Sequence, residues 1–81
     1  MKKTETCTYD SSMIESSTYD FVTRELLVTF TGGTQYSYAG VSEMAYETFS
    51  RDQTSVGRAF NESVKRNYSG VKIITEDELN G

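Results

Sequence analysis

The sequence predicts an α+β domain, a three- to four-stranded antiparallel β-meander with two α-helices packed on one face. Two observations carry the sheet. Residues 26–30 and 35–39 each alternate between two sets of side chains, the period-two signature of strands. Gly32-Gly33 lies between them and supplies the positive φ angles a tight hairpin needs. A third observation carries the helices: beyond Val41 the apolar residues recur at steps of three and four, in two separate stretches. With 81 residues the chain supports one domain, and multidomain arrangements are excluded.

In chain order, residues 1–12 are polar, rich in Thr and Ser, and follow neither period. They are expected to form a flexible N-terminal arm, with residues 6–8 as a candidate extra edge strand. A single domain is expected over 13–75. From Met13 onward, Ile14, Ser16 and Thr18 alternate with Met13, Glu15, Ser17 and Tyr19, which reads as a first strand, and Asp20 starts a turn. The link over 20–25 is unusually apolar, holding Phe21 and Val22. Leu26, Val28 and Phe30 form one face of the next strand.

The turn decides which way Tyr36 and Tyr38 point. A two-residue loop at Gly32-Gly33 pairs Thr29 with Tyr36 and places both tyrosines opposite Val28 and Phe30. A three-residue loop over 31–33, with a bulge, reverses this and buries them beside Phe30. Exposed, they are a platform for binding; buried, they are core.

Ser42 before Glu43 reads as an N-cap followed by an acid at the positive end of a helix. Met44, Ala45, Thr48 and Phe49 are spaced to face the sheet, with Tyr46 at the margin. Ser55 offers a second cap, and Val56, Ala59, Phe60 and Val64 form the stripe of a second helix, leaving Arg58, Glu62, Lys65 and Arg66 to solvent. Gly70 marks the helix end, residues 71–75 are strand-prone, and 76–81 form an acidic C-terminal tail containing Glu76, Asp77 and Glu78.

Composition narrows the function. Hydrophobic residues make up 36% of the chain, below the usual ~45–50%, with 10 Ser and 11 Thr in their place, so part of the chain is expected to be unstructured. One cysteine, Cys7, permits no internal disulfide, and with no histidine there is no zinc site. Metal ligands and cofactors are expected to be none. No apolar run approaches the ~18 residues of a membrane span, and the first ten residues lack a signal core, so a cytoplasmic protein is expected, in a bacterium or a phage-infected host. The net charge of −4 opposes nucleic-acid binding. Residues 13–72 nevertheless carry six Lys or Arg against seven Asp or Glu, so a near-neutral body can hold a basic face.

The ordered set of features resembles the KTSC domain, a small bacterial and viral module also found at the C-terminus of some lysyl-tRNA synthetases. The resemblance covers roughly residues 12–68. It rests on Ser12 before Ile14, Tyr19-Asp20, Leu26-x-Val28-x-Phe30, the double glycine, Tyr36-x-Tyr38, Gly40-Val41, Tyr46, Ser55-x-Gly57, Phe60-Asn61, Val64-Lys65 and Tyr68. The family usually has proline at the position of Ser42 and a small residue at that of Gln53; both departures concern helix entry. For function, the resemblance implies RNA binding.

No histidine, no carboxylate pair in a predicted pocket and no motif that activates a serine or Cys7 are present, so an enzyme is not expected. Tyr36 and Tyr38, on one strand face, are candidates for stacking on two bases, against a core role. Ser55 and Gly57 mark a helix N-terminus able to take an anion, against ordinary capping. Arg58, Lys65 and Arg66, with Arg51, are candidate phosphate contacts, against simple solvation and a Glu62–Arg66 pair. The leading expectation is a small RNA-binding module using these residues. The alternative is a protein-interaction module, for example a phage-encoded regulator or inhibitor of a host enzyme such as an RNA-targeting toxin.

Overall fold

The computed structural model describes residues 3–52 and 54–74. Its five strands are β1 (Thr4–Thr8), β2 (Ile14–Asp20), β3 (Leu26–Phe30), β4 (Gln35–Tyr38) and β5 (Gly70–Ile73). They lie in sequence order in one antiparallel sheet. Between β4 and β5 come α1 (Glu43–Ser50) and α2 (Val56–Phe60), the latter running on into a π-helical turn over Asn61–Lys65. The α+β class is as expected, with one strand more than the larger number expected.

The extra strand is β1. Where the sequence predicts a flexible arm over 1–12, Thr4–Thr8 pairs with β2 from Thr4↔Asp20 to Thr8↔Ser16, extending the candidate edge strand. β1 lacks an apolar stripe because one inward position is Glu5, whose carboxylate accepts a hydrogen bond from Tyr46 Oη. Residues 75 and 76–81, the end of the predicted last strand and the acidic tail, lie outside the described residues.

The β3–β4 register pairs Val28 with Tyr36 and Leu26 with Tyr38. The hairpin therefore uses the three-residue loop, closed by Phe30 N–H to Thr34 O at 2.8 Å and Gly33 N–H to Phe30 O at 3.0 Å. Gly32 and Gly33 both have φ 97°, a region that suits glycine. Both tyrosines consequently share the face of Leu26, Val28 and Phe30, beneath the helices.

In β2 a bulge changes the expected alternation. Ile14 faces Phe30 and Ser16 faces Thr29, so Glu15 is the extra residue, and beyond it Ser17 and Tyr19 are buried in place of Ser16 and Thr18. Tyr19 stacks on Tyr46 with ring centroids 4.3 Å apart and donates to Val41 O, tying the strand to the loop that enters α1. Ser42 caps α1 by accepting from Ala45 N–H at 3.1 Å, and its own N–H donates to Tyr68 Oη at 3.2 Å. The α1 face is rotated from the predicted one. Tyr46 and Phe49 are fully buried, whereas Met44 is 78% exposed and Thr48 is also exposed. The stripe of α2 is as predicted, with Val56, Ala59, Phe60 and Val64 all buried. Phe60 is the hub of the core, its ring 5.5–5.6 Å from those of Phe30, Tyr38 and Phe49.

The helix end is made by Asn67 rather than Gly70. The Asn67 amide donates to the carbonyls of Glu62 and Ser63 at 3.0 and 3.1 Å. Gly70 instead opens β5 opposite Tyr38, whose ring lies over it.

Candidate interaction surfaces

Tyr38 is 4% exposed, edge-on to Phe60, and Tyr36 is half-buried and edge-on to Phe30. The expected base-stacking platform is therefore corrected: the two rings face the helices, and burial raises the pKa of Tyr38 above its usual 10.0. The reason is the loop length, which sets the parity of the whole β4 strand.

The expected cations sit on the helical segments or at their C-caps, and all four are exposed. Arg51, the C-cap of α1, is paired with Glu47 at 3.0 Å, and Arg58 with Glu62 at 3.2 Å, both on the surface. Glu62 lies four residues from both Arg58 and Arg66, and it takes Arg58, which corrects the expected Glu62–Arg66 pair. Among the described residues Lys65 and Arg66 have no ion-pair partner, and both are exposed. Among the described residues two of the four cations are thus paired and two are not, while the Tyr36 and Tyr38 rings pack toward the core.

The expected anion site at Ser55 and Gly57 is also filled from within. Ser55 Oγ accepts from Arg58 N–H at 3.3 Å, and Asp52 Oδ1 accepts from Thr54 and Ser55 N–H at 2.8 and 2.7 Å. Those two backbone bonds hold the Asp52 carboxyl below its usual 3.8, so a negative charge already stands at this end of the helix. Gly57 is a packing residue, since a Cβ there would meet Met13 Sδ at 3.1 Å. Beside it a groove of about 740 Å³ runs between the β1–β2 turn and the start of α2, lined by Asp10, Ser12, Asp52, Arg58 and Asn61.

A second polar group lies under β1. Tyr46 Oη donates to Glu5 and is 3.5 Å from Cys7 Sγ, while the Tyr9 and Ser17 hydroxyls are 2.7 Å apart. Burial pushes the Tyr9 phenol up to about 12 and raises that of Tyr46 further. Among the described residues no group of three His, Cys, Asp or Glu side chains is placed to hold a metal ion. No helix there is long and apolar enough to cross a membrane.

Sequence reasoning missed the uncovered face of the sheet. Cross-strand registers place two rows of side chains on it, Thr6, Thr18, Leu27, Ser37 and Val71, then Thr8, Ser16, Thr29, Gln35 and Ile73. Neither row carries a charge. Val71 is 66% and Ile73 36% exposed, and the Thr6 and Thr18 hydroxyls bond at 3.0 Å across the surface. The signal was present in the sequence as abundant Ser and Thr, read there as a mark of unstructured chain. Those residues instead occupy the alternate positions of strands whose other face is core.

A sequence model of the KTSC domain matches residues 10–68. The crystal structure of a KTSC domain protein from Yersinia pestis is similar at 34% identity and a TM-score of 0.75, over 86% of this chain and 97% of that one. No curated protein matches the chain.

Proposed function

This chain belongs to the KTSC domain family, and on that footing we propose that it is a small non-enzymatic protein-interaction module of the cytoplasm that meets its partner with the uncovered face of the sheet. One observation carries the reading: two rows of five uncharged side chains cross the whole width of the sheet, with no helix over them. Such a face loses little on desolvation. Its hydroxyls and Gln35 supply hydrogen bonds, while Leu27, Val71 and Ile73 supply apolar contact. A polyanion finds no cation in either row, and the net charge of −4 repels it further.

A second reading, RNA binding as a partner or as part of an RNA-bearing complex, is favoured by Lys65 and Arg66, which are exposed and unpaired among the described residues. It must operate without base stacking on Tyr38 and through few phosphate contacts.

The two separate in one comparison. Wild-type protein, Leu27→Lys and Lys65→Ala/Arg66→Ala are each used to capture cross-linked partners after nuclease treatment, with filter binding to single-stranded RNA at two salt concentrations alongside. The sheet-face reading expects nuclease-resistant capture that Leu27→Lys abolishes and the double alanine variant retains. Capture lost with nuclease or with the alanine pair, together with salt-sensitive RNA retention, overturns it in favour of RNA.

A further inference from the structure

β1 is an edge of the sheet, and among the described residues no strand pairs with its outer side. Tyr9 N–H donates to Glu15 O at 2.9 Å, and Phe21 N–H donates to Lys3 O at 2.8 Å, so the odd-numbered residues at both ends of β1 turn their backbone groups toward β2. The pairing between these points runs without interruption from Thr4↔Asp20 to Thr8↔Ser16. By alternation, Thr4, Thr6 and Thr8 aim N–H and C=O out of the sheet, along its open edge.

Exposed edges are ordinarily blunted by proline, lysine or a bulge. Thr4–Thr8 reads TETCT and has none of these; its one inward charge, Glu5, which can also blunt an edge, is taken up by the hydrogen bond from Tyr46. The opposite edge, β5, carries Gly70 and Lys72.

We propose that β1 pairs antiparallel with β1 of a second copy of this chain, about a two-fold axis through Thr6. Thr6 then faces Thr6 of the partner subunit and Thr4 faces the partner subunit's Thr8. The three residue pairs are all of the hydrogen-bonded type, and together they form six backbone hydrogen bonds. Cross-strand threonine pairs are favourable, and Glu5 meets Cys7 of the partner subunit instead of a second carboxylate.

The ends match in charge as well. The strand follows Lys3 and precedes Asp10, both exposed, so antiparallel pairing carries the lysine of each copy to the aspartate end of the other. Parallel pairing would set like charges side by side. A two-fold axis normal to the sheet keeps both uncovered faces on one side and joins them into a ten-stranded surface. This assembly uses an edge that the proposed partner face leaves free, and it stands whether or not that face is used.

Sedimentation equilibrium on the full chain tests it, with Thr6→Pro as the probe. The Thr6 N–H points away from β2 and meets no acceptor among the described residues, so proline on this edge costs the monomer only the exposed hydroxyl bond to Thr18 while removing the two central intersubunit bonds. Wild type is expected to form a reversible dimer with a dissociation constant on the order of 0.1 mM, as befits a small interface. Thr6→Pro should weaken it about thirtyfold or more, the equivalent of two net hydrogen bonds. Amide exchange on the unmodified protein gives a second readout free of any folding defect: Thr4, Thr6 and Thr8 amides should become protected as concentration rises, while those of β5 do not. A wild-type chain that stays monomeric at about ten times that constant, a Thr6→Pro dimer of unchanged affinity, or β1 amides whose exchange ignores concentration overturns the proposal.

Discussion

Gly70→Ala has two opposed effects that can be weighed from the structure. Replacing glycine by alanine within a strand ordinarily stabilises by roughly 0.5–1 kcal/mol, because alanine has less chain entropy to lose. Here a Cβ would lie 2.5 Å from Cε2 of the Tyr38 ring, 2.7 Å from Cζ and 2.9 Å from the hydroxyl. That ring has little room to yield, being 4% exposed and bounded by Phe60 at 5.6 Å and Tyr36 at 6.4 Å between centroids. Forcing extra volume into such packing costs about 1–3 kcal/mol. Subtracting the entropic gain leaves a net loss of about 0–2.5 kcal/mol, centred near 1. The expected assay is urea unfolding, supported by thermal midpoints, which fall by about 4–8 °C per kcal/mol in a domain of this size. The decisive comparison is a double-mutant cycle with Tyr38→Val, which removes the ring. In that background Gly70→Ala should become neutral or stabilising. If it raises the midpoint of the wild-type chain, or costs the same in both backgrounds, the ring does not lie over β5 and the placement of Tyr38 in the core is wrong.

Three further outcomes are expected. Gly33→Ala has open space for its Cβ but φ 97°, so it should cost about 1 kcal/mol from backbone strain alone, read as a lower urea midpoint with an unchanged slope. Glu5→Ala leaves the buried Tyr46 hydroxyl without its main acceptor and should cost about 1–3 kcal/mol, whereas Glu5→Gln, which keeps an acceptor, should cost less by the same titration. Stability should decline as pH rises above 10.0, because burial raises Tyr9, Tyr19, Tyr38 and Tyr46: the unfolded chain releases those phenol protons while the folded chain retains them. Tyr68, lowered by its bonds to Ser42, acts in the opposite sense just below that pH, and urea midpoints across the alkaline range give the net effect.

What could be read from the sequence depended on whether a local pattern had one physical solution. The β3–β4 hairpin, the Ser42 and Ser55 caps and the α2 stripe each follow from short-range chemistry, and all are present. The direction of Tyr36 and Tyr38 hung on one residue of loop length, and both loops satisfied the glycine requirement. β1 shows in the sequence only as a candidate edge strand over residues 6–8, because its inward positions are Glu5 and Cys7, and the tertiary partner that makes a carboxylate acceptable there, Tyr46, is 41 residues away in sequence. The bulge at Glu15 and the π turn over Asn61–Lys65 are likewise set by packing, with no signature in residue type. The candidate surface has no marker in residue type: charge marks Arg51, Arg58, Lys65 and Arg66, whereas the two central rows of the uncovered face are distinguished by carrying none.

The claim on which the account rests is that the helices seal the tyrosine face of the sheet and leave the threonine face open. Paramagnetic relaxation from a neutral, soluble gadolinium chelate, read on side-chain resonances of the free protein, measures this directly. The account predicts strong broadening at Leu27, Thr29, Val71 and Ile73 with the Tyr38 and Phe60 rings protected; broadened Tyr38 resonances beside protected Leu27 and Val71 methyls would contradict it.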